Sequence, residues 1–168
     1  MKHKIVFLHE KDILNLVKGL ADQINHDYKN EKESLLLVCP LKGSVFFLAD
    51  FVRFLKIPVI IDFILIEGSK DSFVITKDIT NPIKNKKVLI IKEVLNEGTK
   101  LLFLKKRIEA SLPKSIKIVT LIDKPSQRNL DLQSDYFGIE TEDRYIFGYG
   151  MDHQEQYRQL KNIHLLAQ

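Results

Sequence analysis

Apolar and polar positions along this chain fall into blocks that predict strands followed by helices. The clearest block is residues 86–112, where the apolar run 88–91 is typical of a strand buried on both faces. Residues 92–98 are polar and include a glycine, and apolar residues then recur at helical spacing from 101 to 112. A strand, a glycine-bearing loop and a helix in this order direct backbone N–H groups and the helix dipole at an incoming anion. Taken alone, one such unit is more typical of an ordinary strand-to-helix turn than of an anion site.

The rest of the chain repeats this alternation. Further strands are predicted at 5–8, 34–39, 58–66, 73–76, 116–122, 137–139 and 145–147. Helices are predicted after Asp12, which is a candidate cap, and over 46–55, so the fold class is α/β with a mostly parallel sheet.

Polar loops follow the predicted strands. Residues 41–44, 92–98, 124–128 and 150–152 all lie at this position. Ligands of such sheets collect outside the carboxyl ends of the strands, so we expect these loops to gather at one edge.

Composition narrows the class of protein without identifying its ligand. The 168 residues predict a single domain, and 45% hydrophobic with 29% charged residues is typical of a globular chain rather than a disordered one. The formal net charge of +4 suits phosphorylated small molecules or RNA, but it establishes neither.

Cysteine and histidine usage argues against disulfide and zinc sites. Cys39 is the single cysteine, so no disulfide can form within the chain, and the five histidines have no ligand-like spacing. No apolar run approaches about 18 residues and no signal peptide is recognisable, so we expect no membrane contact and a cytoplasmic location.

Three segments together resemble the purine salvage phosphoribosyltransferases of the hypoxanthine-guanine type. Residues 41–53 (LKGSVFFLADFVR) are similar to the pyrophosphate loop and its helix, 120–128 (TLIDKPSQR) to the purine-recognition segment, and 145–160 to the C-terminal ligand-binding segment. The resemblance covers roughly 35–166. It implies a type I phosphoribosyltransferase-like parallel sheet flanked by helices, in one domain spanning 1–168. A small hood is expected mainly from about 1–10 and 124–168.

The resemblance also implies a reaction. Ribose 5-phosphate would pass from phosphoribosyl pyrophosphate to N9 of hypoxanthine or guanine, with Mg2+ as cofactor and a purine nucleotide as product. The expected partners are these small molecules and further copies of the chain, in a homodimer or homotetramer. Positioning and electrostatics would dominate such a transfer, because a diphosphate leaves while an oxocarbenium-like sugar forms.

Site residues follow from the resemblance position by position. Those implied for the diphosphate are Leu41, Lys42, Gly43, Ser44, Arg128 and Arg158, and in this family the 41–42 peptide bond can be cis. Those implied for the purine are Lys124, which donates to the 6-oxo group and counts as catalytic, Tyr145, which stacks on the ring, and Ile146, whose backbone reads the base edge. Asp152 and Glu93 are the implied magnesium ligands.

The central loop carries the remaining implied contacts and the main departures from the family pattern. Its positions are Lys92, Asn96, Glu97, Gly98, Thr99 and Lys100. Lys92 stands where an acidic residue accepts from the ribose, Asn96 where an aspartate handles the purine N7 proton, and Glu97 where a small hydroxyl residue cradles the 5′-phosphate. Lysine has only donors and an amide is a poor base, whereas Glu97 would repel phosphate unless Lys100 pairs with it.

A second departure lies at residues 67–72, which form a shorter connection than the family's mobile loop and lack its Ser-Tyr pair. The departures leave three hypotheses open. The first is a slow or altered transferase, and the second is a catalytically inactive purine-nucleotide-binding or regulatory relative. The third, less favoured, is an RNA-binding regulator whose patch would comprise residues 84–87 and 105–107.

Overall fold

The computed structural model describes residues 4–69, 72–142 and 144–166, and α-helices follow β1, β2 and β5. The elements are, in chain order, β1 (Lys4–Leu8), α1 (Glu10–Asp27), β2 (Leu35–Pro40), α2 (Val45–Phe54), β3 (Val59–Ser69), β4 (Ser72–Lys77), β5 (Lys87–Leu95), α3 (Thr99–Glu109), β6 (Ser115–Asp123), β7 (Tyr136–Glu140), β8 (Ile146–Phe147) and β9 (Ile163–Leu166). A 3₁₀ turn at Pro125–Gln127 follows β6.

Six strands form the main sheet in the order β4–β3–β2–β5–β6–β7. The pairs from β3 to β7 are parallel, and β4 adds an antiparallel edge. All of β2 is buried, which explains its uninterrupted apolar sequence. The predicted α/β class and the mostly parallel sheet are therefore confirmed.

Alternate residues of the central strands face two hydrophobic clusters. Leu35, Leu37 and Cys39 pack against α1 and α2 on one face, whereas Leu36 and Val38 pack with α3 on the other. Helices on both faces bury the sheet and leave its carboxyl edge to the loops.

The hood is a second, antiparallel sheet in the order β1–β9–β8, built from both ends of the chain. It is narrower than the sequence predicted. β7 lies within the segment assigned to the hood, yet it pairs with β6 as the outer strand of the main sheet. Only Tyr136 of β7 is buried, which suits an edge position there.

Three local predictions are wrong. Asp12 does not cap α1, because the helix begins at Glu10 after His9 and Asp12 lies within its first turn. Residues 92–95 are strand rather than loop, since β5 continues to pair with β6 through Leu95 and Asp123. The segment from residue 67 belongs to a β3–β4 hairpin, in which Glu67 lies opposite Val74. Among the described residues no helix is long and apolar enough to span a membrane.

Candidate active site

Three cavities meet at the carboxyl end of β5, and Glu93 lines all of them. The largest, of about 440 Å³, lies between loop 41–43, the β3–β4 hairpin and the start of α3, and we call it the hairpin cavity. The α3 cavity, of about 370 Å³, is formed mainly by residues 92–101. The hood cavity, of about 190 Å³, lies between the end of β5, Lys124 and residues 145–152. The loops that follow four predicted strands therefore gather at one edge, as expected.

Glu93 is a buried carboxylate held from two sides. The Ser44 hydroxyl, which is fully buried, donates to Oε2, and the Lys92 ammonium donates to Oε1 at 2.6 Å. A buried carboxylate requires such compensation, because taking its charge out of water is costly. The two donors come from different segments of the chain and fix the orientation of the carboxylate.

The loop from Leu41 to Ser44 approaches Glu93 closely. The Leu41–Lys42 peptide bond is cis, as the resemblance implied. A Cβ added to Gly43 would lie 2.5 Å from Glu93 Oε1, so only glycine allows this approach. Lys42 lines the hairpin cavity, and its ammonium lies 2.9 Å from a Glu155 carboxylate oxygen.

Arg158 and Asp152 form the opposite wall of the hairpin cavity. One Arg158 nitrogen donates to the Gly150 carbonyl at 2.9 Å, and another lies 2.8 Å from Asp152 Oδ1 and 3.2 Å from Glu155. Both side chains also line the hood cavity. A guanidinium held by its neighbours at a cavity wall in this way suits a phosphate oxygen pair.

The predicted purine contacts line the hood cavity together. Lys124 is almost fully buried, and its ammonium donates to the Arg144 carbonyl at 2.5 Å. Tyr145 is 50% exposed, so it is not a core aromatic. Its hydroxyl donates to the Asp152 carbonyl at 2.8 Å, and its ring contacts His153 edge-on. Partial burial, followed by the nearby Asp152 charge, raises the pKa of Tyr145.

The altered positions of the central segment surround the start of α3. Asn96 and Glu97 are exposed, and Asn96 lines both the α3 cavity and the hood cavity. Gly98 has φ +81 immediately before the first helical residue, Thr99. Lys100 lies over the Phe73 ring of β4, with its ammonium 5.9 Å from the ring centroid. A cation–π contact of this kind joins α3 to the hairpin.

Arg128 is the predicted diphosphate contact that lies apart from the others. It lines none of the three cavities that meet at Glu93, and its guanidinium forms a buried ion pair with Asp123, 2.5 Å away. It also donates to the Leu95 carbonyl at 3.3 Å. Asp123 is buried at the end of β6 and needs a cation, and Arg128 supplies it from across the 3₁₀ turn.

Sequence reasoning missed several residues that line the cavities. Glu67 and Gly68 of the hairpin, Glu155 and Met151 are the principal ones. Glu155 was recognisable in principle, because it lies three residues from both Asp152 and Arg158. Glu67 was not, because its place at the cavity depends on β3 continuing into the hairpin.

Two carboxylates are placed to hold a metal ion with the help of a ligand. Asp152 and Glu93 both line the hairpin cavity, and the described part of the chain has no cluster of three potential metal-ligating side chains. Mg2+ characteristically uses one or two protein carboxylates and completes its shell with water and phosphate oxygens. The donor set therefore fits Mg2+ bound together with a phosphorylated ligand. Asp152 is the more accessible of the two carboxylates, because 32% of its side chain is exposed, against 8% for Glu93.

Comparisons with known proteins identify the family of the chain. The family profile described as phosphoribosyl transferase domain matches residues 7–156. The hypoxanthine-guanine phosphoribosyltransferase of Staphylococcus aureus is 36% identical over 166 residues, which are 95% of this chain and 92% of that protein. This relative matches the chain over nearly its whole length.

Solved structures show the same similarity. A crystal structure of a hypoxanthine-guanine phosphoribosyltransferase from Bacillus anthracis has a TM-score of 0.92 and 35% identity, and covers 98% of this chain and 99% of its own. The hypoxanthine phosphoribosyltransferase of Trypanosoma cruzi has a TM-score of 0.91 and 29% identity, with 96% and 95% coverage. The chain therefore belongs to the hypoxanthine-guanine phosphoribosyltransferase family.

Proposed function

We propose that this protein is a purine salvage phosphoribosyltransferase. It transfers ribose 5-phosphate from phosphoribosyl pyrophosphate to hypoxanthine or guanine, and it does so slowly because of the residues at positions 92, 96 and 97. The proposal agrees with the names of the relatives from S. aureus and B. anthracis.

The observation that carries the proposal is the meeting of three cavities at Glu93. The reaction joins a base, a sugar phosphate and a diphosphate, and each requires its own surroundings. The hairpin cavity offers Lys42 and Arg158 to a diphosphate, the α3 cavity offers a helix N-terminus to a phosphate, and the hood cavity offers Lys124 and Tyr145 to a purine. Adjacent subsites hold the reactants in contact, which accounts for much of the rate of such a transfer.

Lys124 and Tyr145 account for purine recognition. The Lys124 ammonium is a donor at the bottom of the hood cavity, and a 6-oxo group that accepts from it would be distinguished from an amino group. Tyr145 is held by Asp152 and His153 with half its surface exposed, so a ring can stack on it. We assign the backbone of the buried Ile146 to the base edge.

Magnesium fits this scheme as a cofactor that binds with the diphosphate. When bound, it would neutralise charge on the departing group, with Asp152 as the protein ligand. The Arg158 guanidinium beside Asp152 holds this carboxylate at the cavity wall. Lys42 and Arg158 supply further positive charge from the protein itself.

Asn96 and Glu97 are the reason for a slow reaction. Asn96 reaches both the α3 and the hood cavity, so it stands where a group could exchange a proton with the base, but its amide is a poor proton acceptor. General acid–base assistance is worth about 10²–10⁴-fold, and its loss would slow the transfer by that order. The Glu97 carboxylate lines the α3 cavity and opposes a phosphate there by like-charge repulsion.

The test is a spectrophotometric assay with phosphoribosyl pyrophosphate, Mg2+ and each purine base at high protein concentration. Base-dependent nucleotide formation in the wild type, lost in a folded Lys124→Met variant, is the expected result. Methionine keeps most of the unbranched apolar stem of lysine and removes the donor, so the control isolates base recognition. Saturable binding of GMP with no turnover would instead establish the nucleotide-binding alternative.

An RNA-binding role is less well supported by the structure. Most of the basic side chains predicted for such a patch form ion pairs. The pairs are Lys86 with Glu33, Lys87 with Glu31, Lys105 with Glu109, and Arg107 with Asp78. These four acidic partners offset most of the positive charge of the patch, so we expect no salt-dependent retention of RNA.

Location and assembly are proposed on the same basis. We place the protein in the cytoplasm and expect a homodimer or homotetramer. Light scattering coupled to gel filtration would determine the assembly.

A further inference from the structure

Lys92 lines both the hairpin cavity and the α3 cavity. Its ammonium is 2.6 Å from Glu93 Oε1, and 26% of its side chain is exposed, against 8% for Glu93. The cation is therefore the more accessible of the two charges, whereas the carboxylate that holds it is almost fully buried.

The position of this ammonium is fixed by the surrounding structure. β5 pairs with β6 on both sides of Glu93, through Lys92 with Thr120 and Val94 with Ile122. Ser44 donates to the second Glu93 oxygen, and the close approach of Gly43 leaves the carboxylate no room to rotate toward the loop. A cation anchored in this way is organised before any ligand arrives, which lowers the entropic cost of binding.

Lys92 decides the charge of the hairpin cavity. Four cationic and four anionic side chains line it, so its formal charge is zero. The cationic ones are Lys42, Lys92, Lys100 and Arg158, and the anionic ones are Glu67, Glu93, Asp152 and Glu155. Reversing the charge at position 92 alone would leave the cavity at −2, which is the charge that one Mg2+ ion compensates.

We propose that Lys92 is a built-in counter-cation for the diphosphate, and that it makes diphosphate binding by this protein largely independent of Mg2+. The inference rests on the proposed function, because it takes the hairpin cavity as the diphosphate subsite. The Lys92 ammonium donates to a phosphate oxygen while it remains paired with Glu93. A Mg2+ ion on the same Glu93 oxygen would lie beside this ammonium, and the two cations would repel each other.

Isothermal titration calorimetry with inorganic pyrophosphate tests the inference without requiring turnover. Titrations are made in EDTA and in excess magnesium chloride, with the wild type, Lys92→Glu, Lys92→Gln and Lys11→Glu. Lys11 is exposed on α1, so Lys11→Glu gives the same change of net charge away from the cavities. Lys92→Gln removes the cation without adding an anion, and it keeps the test available if Lys92→Glu does not fold.

The wild type and Lys11→Glu are expected to bind pyrophosphate with nearly the same affinity in both buffers. Lys92→Gln is expected to bind about 10-fold more weakly in EDTA, and Lys92→Glu about 100-fold, because hydrogen bonds to charged groups contribute on this scale. Excess Mg2+ is expected to restore most of the affinity of both variants. Magnesium chloride alone should raise the Tm of Lys92→Glu and leave that of the wild type unchanged, since only the variant has an uncompensated acidic pair.

Equal dependence on Mg2+ in the wild type and Lys92→Glu would overturn the inference, as would the same loss in Lys11→Glu. Failure of every protein to bind pyrophosphate in either buffer would overturn it as well. None of these results decides the proposed function, which is judged by nucleotide formation and by GMP binding that depends on Lys124.

Discussion

Gly43→Ala is the substitution whose consequence the structure defines most sharply. The new Cβ would lie 2.5 Å from Glu93 Oε1 and 3.0 Å from its Cδ, whereas ordinary contact begins at 3.4 Å. One of the two must therefore move by 0.9 Å, the difference between 3.4 and 2.5 Å. The loop is restrained as well, because a Cβ at Gly150 would lie 2.2 Å from the Gly43 carbonyl oxygen, so these backbones are already in close contact.

The expected cost follows from what Glu93 loses when it moves. The displaced carboxylate breaks its bond from Ser44 or from Lys92, and it is buried where water replaces the donor poorly. A hydrogen bond to a charged group contributes about 1.5–3 kcal/mol. For a chain of this size that loss lowers the Tm by about 3–12 °C. Affinity for inorganic pyrophosphate should fall with it, because Lys92 loses its anchor.

Thermal unfolding followed by circular dichroism, with calorimetry of pyrophosphate binding, measures both effects. Gly19→Ala is the matched control, since Gly19 is exposed on α1 and a Cβ there meets nothing within 4 Å. Alanine is a better helix former than glycine, so this variant should be more stable by up to about 1 kcal/mol. An unchanged Tm and unchanged pyrophosphate affinity in Gly43→Ala would refute the argument that Glu93 is locked by the loop.

Three further predictions concern other parts of the molecule. The combined change Lys92→Glu, Asn96→Asp and Glu97→Thr should raise kcat by about 100-fold in saturating Mg2+, because a proton acceptor is restored, and a folded variant without any gain would place the limit elsewhere. Asp62→Ala should lower the free energy of unfolding by about 3 kcal/mol in urea titrations, since this buried carboxylate accepts hydrogen bonds from the backbone N–H groups of Thr80 and Asn81. Burial raises the pKa of Asp62, but these hydrogen bonds together lower it well below its ordinary value of 3.8. The stability of the wild type should therefore be full above about pH 4 and fall as the pH drops further, and the stability of Asp62→Ala should depend less on acid. Lys124→Met should weaken GMP binding about 10-fold or more in calorimetry and leave pyrophosphate binding unchanged, and equal loss of both would contradict its assignment to the base.

The sequence by itself determined the order of strands and helices and the edge at which the site lies. Apolar runs such as that of β2 are buried wherever they lie in a parallel sheet, so they are readable from local pattern alone. The same holds for the loops after β2, β5 and β6, because chain direction alone places them at the carboxyl edge. The cis bond before Lys42 and the shared cavity of Lys124 and Tyr145 followed from the family resemblance rather than from any pattern.

Only the tertiary structure decided which side chains meet. Ser44 and Glu93 are 49 positions apart, and no pattern of apolar and polar residues predicts their hydrogen bond. Arg128 follows β6 at the carboxyl edge of the sheet, yet its ion pair with the buried Asp123 holds it away from the three cavities. A buried charge without a partner is costly, so Asp123 takes this cation. From the sequence, Lys92 is recognisable only as a lysine at a position where the family has an acidic residue. Its place between two cavities, anchored on a buried carboxylate, depends on long-range packing, because burial and charge pairing are settled by segments that meet only in the folded chain.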